Sequence, residues 1–321
     1  MQLIRDGAQA GWAAFQLSEV SRLDAMGTLA AYEALRPLLP QTAERITQSI
    51  ESLTSIIDAV DAFILDGYGV INIGEDIIPG ISQFLDAAKA AGKPVIILTN
   101  GASHPSQGRA AKYQSWGLSI EPDHIVSSRD AFLHLLKDTA SVGKLMSLDR
   151  ATTPIGQGGE LRFDGGTAAL EAADSFVMLG ATSWDEAQNN QLIDALLARP
   201  RPLYIANPDI SAPQNPGFSA EPGYWALKIL QATGQHPIWA GKPHPPAYAL
   251  AVEYVQRLAG HHIPNARIAM VGDSLHTDIL GANHFGLKSV LLTGYGLLKG
   301  LDWRGIAEAT GIYPDYQTDR L

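Results

Sequence analysis

The sequence predicts an α/β protein: a doubly wound parallel sheet, an inserted second α/β unit and a helical segment in front. Three observations carry this. The run Ala62-Phe63-Ile64-Leu65 is apolar throughout and ends on Asp66-Gly67, the pattern of a strand buried on both faces. Strand and helix patterns then alternate, as a right-handed βαβαβ chain requires. The rhythm changes between residues 140 and 236 and resumes afterwards, which places an insertion there.

Residues 1–58 read as a helical extension. Ile46, Ile50, Leu53, Ile57 and Val60 recur at spacings of three and four, and an earlier helix runs from about Ser18 to Leu35 before Pro37 and Pro40. These helices are expected to pack on the core or on another subunit. The core occupies 59–139 and 237–321. After the strand at Ala62, a helix is expected over Gly80–Ala91, a strand over Pro94–Leu98, a helix near Ser106–Trp116 and a short strand at Ile125–Ser127. The inserted cap, 140–236, has strands expected at Lys144–Leu148, Ser175–Leu179 and Leu203–Ala206. Gln157-Gly158-Gly159 and Asp164-Gly165-Gly166 read as turns, since neither joins a strand to a helix as a phosphate loop does. Ile238-Trp239-Ala240 is expected to resume the core, followed by a helix over Pro246–Leu258, a strand over Ile268–Val271, a helix near Thr277–Phe285 and a strand over Ser289–Leu292.

Composition narrows the partners. The chain has 321 residues, is 46% hydrophobic and carries a formal net charge of −10 with no dense Lys/Arg stripe, which argues against nucleic acid or an anionic membrane. It has no cysteine, so disulfides and thiolate metal sites are excluded, in keeping with a cytoplasmic setting. No apolar run approaches the roughly 18 residues of a membrane span, and Met1–Phe15 lacks a signal-peptide core.

The chemistry collects at the carboxyl ends of the predicted core strands, where open α/β sheets bind ligands. Asp66, Thr99-Asn100, Gly241-Lys242 and Gly272-Asp273-Ser274 with Asp278 all fall there. Three carboxylates without His or Cys suit a hard cation such as Mg²⁺, which keeps waters and bridges to phosphate. Asp66 can act as a nucleophile that divides one hard step into two. Lys242 and a metal would neutralise the repulsion between that carboxylate and an anionic phosphate, with the Thr99 hydroxyl on the phosphoryl oxygens. Asp278, five residues after Asp273, could hold a metal-bound water.

This set resembles the haloacid dehalogenase (HAD) superfamily. More narrowly, Leu98-Thr99-Asn100, Asn207-Pro208-Asp209, Gly241-Lys242-Pro243 and Gly272-Asp273-Ser274-Leu275-His276-Thr277-Asp278 are similar to the class IIA branch, which includes N-acetylglucosamine-pathway and pyridoxal phosphate phosphatases. The resemblance covers about residues 60–298 and implies a HAD-like Rossmannoid core with a C2-type cap. It implies that Asp66 is nucleophile and metal ligand, with the main-chain oxygen of Tyr68 and the side chain of Asp273 as further Mg²⁺ ligands and Asp278 beside them. It implies that Thr99 and Lys242 bind the phosphoryl group, and that Asn100, Asn207 and Asp209 contact a small phosphorylated metabolite. Pairing of two copies through the cap, a homodimer, also follows by analogy.

One position departs from the pattern. The superfamily's phosphatases carry an aspartate two residues after the nucleophile as general acid and base, and this chain has Tyr68. Three readings follow: a slow or specialised Mg²⁺-dependent phosphohydrolase, a degenerate protein that binds a phosphorylated ligand, and a metal-independent carbon–halogen hydrolase. Outside this set, His104, His244, Arg150 and Arg162 are expected to be exposed, His261-His262 a surface turn, His276 structural, and Trp225 and Trp239 core residues.

Overall fold

The computed structural model describes residues 1–137, 142–156, 160–214 and 216–321; the Gln157-Gly158-Gly159 turn expected from the sequence lies outside them. A seven-stranded parallel sheet forms the core. Its order is Gln48–Ser49, Tyr316–Thr318, Lys288–Leu292, Ile268–Gly272, Ala62–Leu65, Val95–Thr99 and Ile125–Ser127. Ala62–Leu65 lies inside it, next to the central strand Ile268–Gly272, and is wholly buried, because alternate side chains feed two different cores. Phe63 and Leu65 join Phe84, Ala110 and Tyr113 on one face; Ala62 and Ile64 join Phe132, Ala251 and Val255 on the other. The register pairs Leu65 with Val271 and with Ile97, so Asp66, Thr99 and Asp273 leave the sheet at one edge.

A second parallel sheet runs Ile238–Trp239, Leu203–Ile205, Ser175–Met178, Leu145–Ser147 and Leu161–Arg162. Here the sequence reading is corrected: Ile238–Trp239 pairs with Tyr204–Ile205 in this sheet and does not resume the core. Two residues are too few to encode a sheet preference, and the free edge of Leu203–Ile205 decides it.

The N-terminal segment differs more. Helix α1 spans Gln2–Ala14 and helix α2 spans Ala25–Leu35, but no α-helix forms over 41–58. That stretch contributes the edge strand Gln48–Ser49 and a 3₁₀ turn over Leu53–Ala59. Its Ser and Thr residues compete with helical hydrogen bonding, as the reciprocal Ser52/Ser55 cap illustrates, and the open edge of Tyr316–Thr318 offers backbone partners. Ile46, read as part of an apolar stripe, is 95% exposed. Helix α2 is started by the Asp24 carboxylate, which accepts from Gly27 N at 2.7 Å. Every residue from Thr28 to Leu35 is buried, so α2 is an internal element and not an appendage. Gly7 permits this: a Cβ there would stand 2.2 Å from the Ala30 carbonyl oxygen. Among the described residues, no helix is long and apolar enough to cross a membrane.

Candidate active site

Asp66 follows the strand Ala62–Leu65 directly and is 8% exposed. Its Oδ1 accepts from the Gly67 backbone N–H at 2.7 Å and lies 2.7 Å from Lys242 Nζ. The same ammonium reaches Asp278 Oδ1 at 2.6 Å. Asp278 is fully buried and fixed by the Ser274 N–H, 3.1 Å from its Oδ2; Asp273 is fixed by the Leu297 N–H at 2.6 Å. Asp66, Asp273 and Asp278 each present an oxygen within 4.8 Å of the others.

Three buried carboxyls therefore stand beside one ammonium, which touches Asp66 and Asp278. Burial pushes Asp66 up to about 7, against the pull of Lys242 and with the help of Asp278. Burial, then Asp278 and Asp66, push Asp273 well above the usual range. Burial works against the charge of Lys242, but Asp278 and Asp66 overcome it and hold the lysine protonated. The excess negative charge needs a cation, and an all-oxygen donor set suits a hard divalent ion. The chain also leaves room: Gly69 has φ +84°, and a Cβ on it would stand 2.5 Å from the Asp273 carboxyl carbon. The residues present fit a divalent metal.

Thr99 ends the neighbouring strand, 4% exposed, with its Oγ1 accepting from Gly101 N at 3.2 Å. Asn100 ties core to cap. Its Nδ2 donates to Asp209 Oδ1 at 2.8 Å and to the Lys242 carbonyl at 3.0 Å, while its Oδ1 accepts from Lys242 N at 2.7 Å and Ser128 Oγ at 2.8 Å. Both donors and both acceptor positions are used, so this amide positions Asp209 and Lys242.

Asp66, Tyr68, Thr99, Asn100, Asn207, Asp209, Lys242 and Asp273 all line one cavity of about 230 Å³. Asp278 stands behind it, reaching it through Lys242. A larger cavity of about 380 Å³ lies at the opposite, amino-terminal ends of the core strands, beside Pro94 and His124, far from these carboxyls in the fold. Burial pushes Asp209 up to about 6 and Glu221, which also lines the site, up to about 7. Tyr68 Oη donates to the Pro213 carbonyl at 2.5 Å, and burial and Asp273 raise its pKa, so it keeps its proton at neutral pH.

Among the lining residues that escaped the sequence reading are Tyr32, Arg109 and Glu221. Arg109 sits one helical turn into Ser106–Ser115 and donates to Gly101 O at 3.2 Å. Its place in the helix after the Thr99 strand is a signal that could have found it. Of the other candidates, His104 and His261-His262 are exposed and His276 is buried against Glu33, as expected. His244 is not an exposed loop residue: it is 7% exposed, stacks on Trp239 with centroids 5.4 Å apart, and burial pushes it down to about 3. Arg150 is exposed, whereas Arg162 is half-buried and spent on the Arg150 and Thr152 carbonyls at 3.0 and 2.7 Å. Trp225 is buried and Trp239 partly so.

The chain is similar to several known proteins. A family model described as haloacid dehalogenase-like hydrolase matches residues 63–154, and one for HAD-hydrolase-like proteins matches 239–315. The chain is 30% identical over 295 residues to phosphoglycolate phosphatase 2 of Arabidopsis thaliana, covering 85% of this chain and 95% of that protein. It is 27% identical over 234 residues to a dihydroxyacetone phosphatase of Corynebacterium glutamicum, covering 72% and 80%. A crystal structure of a possible sugar phosphatase from Cytophaga hutchinsonii superposes with a TM-score of 0.74 at 26% identity, covering 85% of this chain and 98% of that one.

Proposed function

The chain belongs to the haloacid dehalogenase-like hydrolases, class IIA, and we propose that it is a Mg²⁺-dependent phosphatase of a small phosphorylated metabolite. One observation carries the reading: three buried carboxyls and a single lysine meet at the mouth of a strand edge that also presents Thr99, inside a cavity sized for a small ligand. The similar proteins named as phosphatases support the same reaction class.

Asp66 attacks phosphorus through a carboxylate oxygen. An Asp66 O–P bond forms as the ester P–O bond breaks, and the departing oxygen keeps the bonding pair and takes a proton. Water then adds to phosphorus, the Asp66 O–P bond breaks, and inorganic phosphate leaves with Asp66 restored. Lys242 and Thr99 bind the phosphoryl oxygens, and Asn100 holds Lys242 and Asp209 in place. Asp66, Asp273 and the Tyr68 carbonyl would hold Mg²⁺, with Asp278 behind them; the ion, when bound, supplies positive charge against the anionic phosphoryl group.

Proton delivery is the weak element. Tyr68 stands where a carboxylate would serve, and its proton is committed to Pro213. Substrates whose leaving oxygen needs little protonation, acyl and aryl phosphates, are therefore favoured, because a positioned acid is worth about 10²–10⁴-fold. The test is hydrolysis of p-nitrophenyl phosphate with Mg²⁺. Activity lost in EDTA, restored by Mg²⁺ and absent in Asp66→Asn is expected; activity indifferent to chelation overturns the reading.

A further inference from the structure

The N-terminal segment has no part in the phosphatase chemistry above, yet α2 reaches the cavity. Tyr32 is 3% exposed and lines it. Its hydroxyl accepts from the Ile210 backbone N–H at 3.2 Å and donates to Asp209 Oδ1 at 3.4 Å. One turn earlier, Thr28 Oγ1 lies 2.6 Å from Ser211 Oγ, both side chains buried. Residues 28 and 32 share a helix face, so α2 presents two hydroxyls to one short cap stretch, 209–211.

The other side of α2 holds the core. The Tyr32 ring stacks on His276, with centroids 5.2 Å apart and planes 9° from parallel. Glu33, 4% exposed, bonds His276 Nε2 at 2.8 Å. His276 belongs to the loop between Asp273 and Asp278. Farther out, Tyr224 Oη donates to the Ser18 carbonyl at 3.0 Å, and Gln231 Nε2 donates to the Trp12 and Phe15 carbonyls, each at 2.7 Å.

We propose that Tyr32 is a positioning residue of the active site: α2 fastens cap residues 209–211 to the acidic loop, so that Asp209 is held in the pocket wall. The proposal rests on the phosphatase reading for what the pocket binds, though not for the fastening itself. Asp209 has two side-chain partners, Asn100 from the core and Tyr32 from the N-terminal helix. Removing the Tyr32 hydroxyl halves that support and also strips the acceptor from the Ile210 N–H, while the stacking ring remains. A buried donor left without a partner is costly, so the segment shifts or admits water.

Two measurements on the full-length chain test this. In hydrogen–deuterium exchange, Tyr32→Phe should speed exchange across 209–213 by about tenfold, whereas Tyr224→Phe, which removes a hydroxyl remote from the cavity, should not. Unchanged exchange in Tyr32→Phe overturns the fastening. In steady-state kinetics with p-nitrophenyl phosphate, Tyr32→Phe should raise KM about fivefold, more than it lowers kcat, and the effect should collapse in an Asp209→Ala background because both changes act through one contact. Independent, multiplicative effects in the double variant overturn the action through Asp209. Absence of p-nitrophenyl phosphate turnover by the unmodified protein would count against the phosphatase reading alone, with the exchange result still deciding the role of Tyr32.

Discussion

Replacing Asp66 with Asn tests whether the site is a nest of carboxyls short of positive charge. Burial pushes Asp66 up to about 7 even with Lys242 at 2.7 Å, whereas an unfolded aspartate titrates near ~3.9. The metal-free native state therefore binds this proton more tightly than the unfolded chain. Between about pH 4 and pH 7 unfolding releases a proton, so stability falls as pH rises across that window and levels off above it. Three pKa units correspond to ~4 kcal/mol. For a chain of 321 residues the unfolding entropy is about 0.7 kcal/mol/K, which converts that loss to about 6 °C of melting temperature. Thermal melts in EDTA at pH 5 and pH 8 span about two of those three units, which is about 4 °C. The unmodified protein should melt lower at pH 8, and Asp66→Asn should lose about 4 °C of that difference, the rest belonging to Asp209, Glu221 and Asp273, which burial also raises. Millimolar Mg²⁺ should raise the melting temperature of the unmodified protein more at pH 8 than at pH 5, since protonated carboxyls are poor ligands. Equal pH slopes for the two proteins in EDTA would refute the reasoning.

Two further outcomes follow from the same geometry. Tyr68→Asp should raise kcat on an alkyl phosphate by about tenfold or more, because it restores a titratable carboxyl beside the leaving oxygen; a lower kcat in a folded variant that still responds to Mg²⁺ counts against it. Lys242→Met should lower kcat/KM on p-nitrophenyl phosphate by about 10³-fold, and in EDTA at pH 8 urea unfolding should show a loss of ~3–5 kcal/mol that shrinks toward pH 5 as the stranded carboxyls take up protons.

What the sequence made legible was what a strand end makes legible. Ala62–Leu65, Val95–Thr99 and Ile268–Gly272 are apolar runs stopped by polar residues, and parallel pairing in register forces those residues to one edge. No similar rule places Tyr32, 34 positions before Asp66 on a helix whose apolar residues surround it on every side. Its role depends on a crossing with α1 at Gly7 and on the approach of 209–211, neither of which has a local signature. Glu221 is hidden for a related reason. It follows the hairpin strand Phe218–Ala220, and only the pairing of that strand with Ser211–Pro213 turns it toward Asn207, whose Nδ2 donates to it at 3.2 Å. Ile238–Trp239 and His244 were misread because a two-residue strand and the loop after it take their environment from a neighbouring edge, here Leu203–Ile205.

Tyr68 gains a positive explanation once these contacts are combined. Residues 209–213 receive hydroxyls from two directions: Thr28 and Tyr32 from α2, and Tyr68 from the loop after Ala62–Leu65. A carboxylate at position 68 could not donate to the Pro213 carbonyl at neutral pH, since an ionised carboxyl is an acceptor only. Tyrosine, with its pKa raised by burial and by Asp273, keeps the proton that this contact needs. In the proposed reaction, the residue that would weaken proton transfer to the leaving group thus also fastens residues 209–213 over Asp66. That trade ties two variants together: Tyr68→Asp should gain on alkyl phosphates and, by losing the Pro213 contact, exchange faster across 211–213, the stretch Tyr32→Phe loosens from the other side.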